Sequence, residues 1–101
     1  MGRVESKIQS DIIAYLRGCD STYVINIGGG ASSAKGTPDL VCCHRGVFLG
    51  FEVKRPDGSY GLTEPQAIRI RQITKAGGHA FLVVSVREVA DIIHAIDERT
   101  A

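Results

Sequence analysis

Two acids and a lysine stand where an apolar strand pair has no structural use for them. Residues 36–54, GTPDLVCCHRGVFLGFEVK, hold two apolar runs, 40–43 and 47–53, separated by the polar His44-Arg45-Gly46. That pattern reads as a β-hairpin. Asp39 precedes the first run, and Glu52 and Lys54 close the second. Burying a charge is costly unless it is paired or binds a metal. If Arg45-Gly46 is the loop, or if residues 44–47 open symmetrically, residues whose numbers sum to 91 face each other. Asp39 then lies opposite Glu52, and Lys54, two positions along, shares their face. Like charges directly opposed are destabilising. A hard divalent cation such as Mg²⁺, bound by carboxylate oxygens, water and substrate phosphates, removes that repulsion. The register hangs on the turn: Arg is a poor choice for positive φ, and a three-residue loop breaks the pairing.

Pro38-Asp39, twelve residues, then Glu52-Val53-Lys54 is similar to the PD-(D/E)xK nuclease signature. The longer order is Gly36-Thr37-Pro38-Asp39-Leu40, Glu52-Val53-Lys54-Arg55-Pro56, Leu62-Thr63-x-x-Gln66 and Ala76-Gly77. It resembles the VRR-NUC (virus-type replication-repair nuclease) family, its small stand-alone members in particular, over nearly the whole chain. A bare D…ExK match occurs in many proteins, but GTPDL, EVKRP and LTxxQ in this order are far more specific. The resemblance implies a restriction-endonuclease-like α/β core and Mg²⁺- or Mn²⁺-dependent hydrolysis of DNA phosphodiesters. Asp39 and Glu52 would hold the metal with the Val53 carbonyl. Lys54 would orient or help deprotonate the attacking water, and Glu5 and Gln66 would complete the shell. Stand-alone members are associated with branched DNA, including four-way junctions, where paired nicks need paired sites. A homodimer and a bacterial or phage origin follow from the same likeness.

The flanking elements must hold these groups. Val4, Ile8, Ile12 and Leu16 recur every four positions with Ile13 and Tyr15 widening the stripe, an amphipathic helix to about residue 17 that stops at Gly18. Glu5 beside the stripe reads either as a first-turn acid favoured by the helix dipole or as the acidic group of the resembled family. Residues 23–27 form a first strand. Residues 28–36 are a small-residue loop whose Lys35-Gly36-Thr37 order departs from the Gly-Lys-Thr of a P-loop, so no nucleotide cofactor is expected. The loop either serves as a flexible connection or, ending in Lys35, touches a DNA backbone. Both hairpin faces are apolar, which predicts cover on both sides, and Gly50 leaves room on the Asp39 face. Thr63-Glu64-Pro65-Gln66 is a capping box opening a helix to about residue 76, with Ala67, Ile70 and Ile73 inward and Gly77-Gly78 ending it. Gln66 thus has a full structural explanation as the reciprocal cap beside its family role. Arg69, Arg71 and Lys75 on this helix, with Lys35 and Arg55, are either solvated charges or a DNA-backbone surface. Residues 79–84 predict a central strand, and Ser85 with Glu88 a second capping box opening a helix striped by Val86, Val89, Ile93 and Ile96. The predicted order is α-β-β-β-α-β-α around a mixed sheet flanked by helices.

At 101 residues the chain reads as one domain, 1–101, with 44% hydrophobic residues for a modest core. A frayed 99–101 is the expected end. No signal-peptide h-region or membrane-length apolar run is present. Cys19, Cys42 and Cys43 suit neither a disulfide framework nor a zinc site, which points to a reducing cytoplasm. His44, His79 and His94 show no ligand spacing and read as ordinary polar residues. The net charge of +1 argues against a protein that coats nucleic acid but not against a catalytic module with a local basic face. The alternatives are an archaeal-type junction resolvase, a restriction- or repair-enzyme subunit, and a non-catalytic DNA-binding module in which the acids pair inertly with Lys54. A plain single-strand binder lacks its aromatic-rich basic surface.

Overall fold

The computed structural model describes residues 3–28, 35–57 and 61–100. Its elements are α1 (Arg3–Arg17), β1 (Thr22–Asn26), β2 (Leu40–His44), β3 (Val47–Val53), α2 (Glu64–Lys75), β4 (His79–Val83) and α3 (Val86–Thr100), in the predicted order. The strands form one sheet ordered β1-β2-β3-β4, antiparallel through β3 and parallel between β3 and β4. A parallel pair needs a crossover, which α2 supplies. β4 therefore lies at an edge of the sheet, not at its centre as its apolar run suggested. That run is explained by the two faces: Val83 points into the core, while Leu82 is 39% exposed on the other side.

The hairpin turn is the two-residue Arg45-Gly46 loop, with His44 paired to Val47 and Leu40 to Phe51. Both loop residues have positive φ, 49° and 82°, as a type I′ turn requires. Arg45 tolerates the left-handed conformation because it is tied down twice. Its N–H donates to the Ser21 carbonyl at 2.9 Å, and its Nε donates to Asp97 Oδ1 at 2.7 Å. The same oxygen lies 2.6 Å from His44 Nε2, and His44 Nδ1 lies 2.6 Å from Thr22 Oγ1. A buried polar ring needs partners, and His44, 1% exposed, has one on each nitrogen. This network pins the turn to α3.

One sheet face carries the core. Leu40, Cys42, Leu49, Phe51, Val53 and Val83 pack against Ile12 and Leu16 of α1 and Val89, Ile93 and Ile96 of α3. Each such side chain, fully buried, contributes about 1.5–3 kcal/mol. α3 is opened by Ser85, whose Oγ accepts the Glu88 N–H at 3.2 Å. The Glu88 carboxylate reaches back to the Val84 N–H, one residue before the cap it was expected to serve. Arg99 and Thr100, expected to fray, form its last turn, where the Thr100 hydroxyl donates to the Ile96 carbonyl at 3.2 Å.

The other face is only half covered. α2 lies against β4 and against the glycines beside it: a Cβ at Gly50 would meet Ile73 Cδ1 at 3.5 Å, and one at Gly78 would meet Ile73 Cγ2 at 3.1 Å. The predicted capping box is present, yet α2 contains no fully buried residue. Ala67, Ile70 and Ile73 are half-buried. The expectation that helices cover both hairpin faces fails beyond α2, where Tyr23, Ile25, Cys43 and Phe48 stand exposed. Among the described residues no helix is long and apolar enough to cross a membrane.

Candidate active site

The hairpin register brings the acids together. The pairing of Leu40 with Phe51, continued one step, sets Asp39 opposite Glu52. Alternation puts both on the α2 face, since Leu40, Phe51 and Val53 belong to the core on the other. Three contacts fix the approach to Asp39. Its carbonyl accepts the Ile27 N–H at 3.0 Å and the Gly28 N–H at 3.3 Å, and its Oδ2 accepts the Val53 N–H at 2.9 Å. Gly36, at φ 82°, lies so close to the first turn of α2 that a Cβ would sit 2.2 Å from the Pro65 carbonyl oxygen. Only glycine fits there, and the contact docks the strand leading to Asp39 against α2. Pro38 covers Gly50, whose Cβ would be 3.0 Å from its Cγ. Neither packing role of Gly36 and Pro38 was evident from the motif alone.

Glu52 is 8% exposed. Its carboxyl pKa is pushed up to about 8, first by burial, then by the charge of Asp39 and a hydrogen bond to it. Lys54 acts in the opposite sense, and the charge of Glu5 adds a smaller upward push. The pair therefore holds a proton near neutral pH, with Glu52 as the acid. Lys54 is half-buried at the end of β3, and its backbone N–H donates to the Val83 carbonyl at 2.9 Å. Because Lys54 N–H faces β4, the N–H and C=O of Val53, one residue back, face the opposite edge. That is the side on which Asp39 already takes the N–H.

Glu5, in the first turn of α1, lies close enough for its charge to act on Glu52. Gln66 does what its capping-box position predicts: its Oε1 accepts the Thr63 N–H at 3.0 Å, and its own N–H reaches Thr63 Oγ1 at 3.3 Å. The Gly36 contact sets its backbone beside the loop that carries Asp39. Lys35 and Arg69 are brought together, Arg69 Nε donating to the Lys35 carbonyl at 3.0 Å, and with Glu64, Pro65 and Ile68 they line a cavity of about 240 Å³. Arg55 pairs with Asp57 at 3.3 Å. Arg71 and Lys75 are exposed on α2.

Among the described residues no three His, Cys, Asp or Glu side chains converge as a ready-made metal cage. The oxygens on offer at this end of the sheet are the Asp39 and Glu52 carboxylates and the Val53 carbonyl. That all-oxygen set fits Mg²⁺ or Mn²⁺, which keep several waters and need few protein ligands.

Element order and the mixed sheet, with Asp39 just before β2 and Glu52 on the antiparallel β3, make a restriction-endonuclease-like α/β core. Among solved structures, a VRR_NUC domain matches with a TM-score of 0.72 at 22% identity, covering 92% of this chain and 97% of that one. A second, a VRR_NUC domain protein, matches at TM-score 0.66 and 21% identity, covering 93% and 88%. The chain thus has the VRR_NUC fold over most of its length. No family model and no curated protein matches it in sequence.

Proposed function

We propose that this protein is a metal-dependent, structure-selective DNA endonuclease that cleaves phosphodiester bonds in branched DNA, such as four-way junctions, as a homodimer. The observation that carries this reading is the hairpin register that sets Asp39 opposite the buried Glu52, with Lys54 two residues further along the same face. The GTPDL…EVKRP…LTxxQ order and the VRR_NUC fold add support.

Asp39, Glu52 and the Val53 carbonyl would hold Mg²⁺ or Mn²⁺, which when bound lowers the pKa of a water and neutralises charge on the phosphate. The remaining work falls to the chain. Lys54 orients the attacking water and places positive charge beside the developing phosphorane. Glu5 and Gln66 complete the surrounding shell through water. Lys35 and Arg69, with Arg55, Arg71 and Lys75, contact the DNA backbone, a sequence-independent and salt-dependent contribution.

The test is cleavage of a labelled four-way junction against linear duplex of the same sequence, with Mg²⁺, Mn²⁺ or EDTA. Symmetric, metal-dependent nicking confined to the junction is expected. Equal cleavage of both substrates would remove the junction preference, and no cleavage by the folded protein would favour a binding module.

A further inference from the structure

The half-covered sheet face has a definite centre. Register places Tyr23 opposite Cys43 on β1 and β2, and Cys43 opposite Phe48 on β2 and β3. The three form one cross-strand row about 10 Å wide, two strand spacings. Tyr23 is 70% exposed, Phe48 42% and Ile25, one pleat along, 47%. At the foot of α2 the row opens into a cavity of about 410 Å³ lined by Phe48, Gln72, Ile73, Ala76 and Gly78. None of these side chains is ionisable apart from the weak acids Tyr23 and Cys43.

We propose that this row is the contact through which two copies of the chain form the dimer, with Cys43 of each copy beside the two-fold axis. The inference rests on the paired-site reading above and says which surface serves it.

Three observations choose a second copy over another partner. First, the patch carries no full charge, so two identical patches meet without like-charge repulsion, as a self-complementary two-fold contact requires. Second, the patch supplies both kinds of feature an interface core needs: a protruding aromatic, Tyr23, and an apolar hollow beside Phe48 to receive one. Third, the row lies at the turn end of the hairpin, whereas Asp39 is four positions further along β2, about 13 Å away. Contact at the turn end leaves the acids clear for substrate. It also covers the one helical layer that buries no residue of its own, α2. By mass action such a dimer dissociates on dilution.

Cys43 makes the proposal easy to test. Cys43 is exposed, whereas Cys42 is buried and the Cys19 thiol donates to the Tyr15 carbonyl at 3.3 Å. The 101-residue chain is run in sedimentation velocity across micromolar concentrations as wild type, Tyr23→Glu and Tyr23→Phe, with circular dichroism confirming the fold. Diamide oxidation of wild type and Cys43→Ser follows. The expected result is a concentration-dependent dimer, weakened at least about tenfold by Tyr23→Glu and kept by Tyr23→Phe. A disulfide-linked dimer forms that Cys43→Ser abolishes. A dimer indifferent to Tyr23→Glu and without the Cys43 cross-link overturns the surface but not the paired-site reading. A wild type monomeric at every concentration overturns both, and leaves the nuclease chemistry to its own assay.

Discussion

Replacing Glu52 by Gln should stabilise the metal-free protein at alkaline pH while destroying its proposed activity. The unfolded carboxyl titrates near 4.5 and the folded one at about 8. A raised folded pKa means that this group's contribution to stability is fully present below the lower value and is lost as pH rises through the upper one. Each pH unit of that window is worth about 1.4 kcal/mol, an upper bound near 5 kcal/mol over the whole span. Solvent at the sheet end and relaxation of Lys54 toward the carboxylates reduce this to about 2–3 kcal/mol. Gln is nearly isosteric with protonated Glu, and its Nε2–H can donate to Asp39 as the acid does. Glu52→Gln should therefore match wild type at pH 5 and exceed it at pH 8.5, by a Tm gain on the order of 10 °C for a domain of this size. Thermal unfolding in EDTA at the two pH values is the assay. No gain at pH 8.5, or an equal gain at pH 5, would refute the picture of a buried Glu52 that keeps its proton beside Asp39.

Mg²⁺ or Mn²⁺ should raise the Tm of wild type more at pH 8 than at pH 6, since the cation displaces the shared proton; Asp39→Asn should lose the effect, read by thermal shift. Gly36→Ala forces a Cβ to 2.2 Å from the Pro65 oxygen at φ 82°, and urea unfolding should show a loss of about 2 kcal/mol or more. Thr63→Ala removes the cap of α2 and should cost about 1 kcal/mol in the same assay. The Asp97 carboxyl is held below its ordinary range by hydrogen bonds to His44 and Arg45. Its stabilisation is present above that range and lost on acidification through the lowered pKa. Asp97→Asn should flatten the acid limb of a stability–pH curve, and an unchanged limb would count against the role of the His44–Arg45–Asp97 network in pinning the turn.

The hairpin and its opposed acids were legible because a two-residue turn fixes register and period-two alternation fixes the face. Arg45 looked wrong for that turn, since what reconciles it to positive φ is Asp97, 52 positions away. No local pattern announces such a partner. The same limit explains the misplacement of β4: an apolar run reads alike at the centre and at the edge of a sheet, and only the pairing partners tell them apart. The bare half-face was hidden for a different reason. Alternation says which residues share a face, but how far α2 extends over that face depends on Gly50 and Gly78 steering it toward β4. Around the acids, the positions of Asp39, Glu52 and Lys54 followed from spacing, whereas the reach of Glu5 to Glu52 depends on how α1 crosses the sheet.

The most direct test of the central claim pairs Mn²⁺ binding with single-turnover cleavage of a labelled junction, for wild type and Lys54→Ala side by side. The account predicts that both proteins bind Mn²⁺ and that only wild type cleaves. Equal cleavage by the two would contradict it.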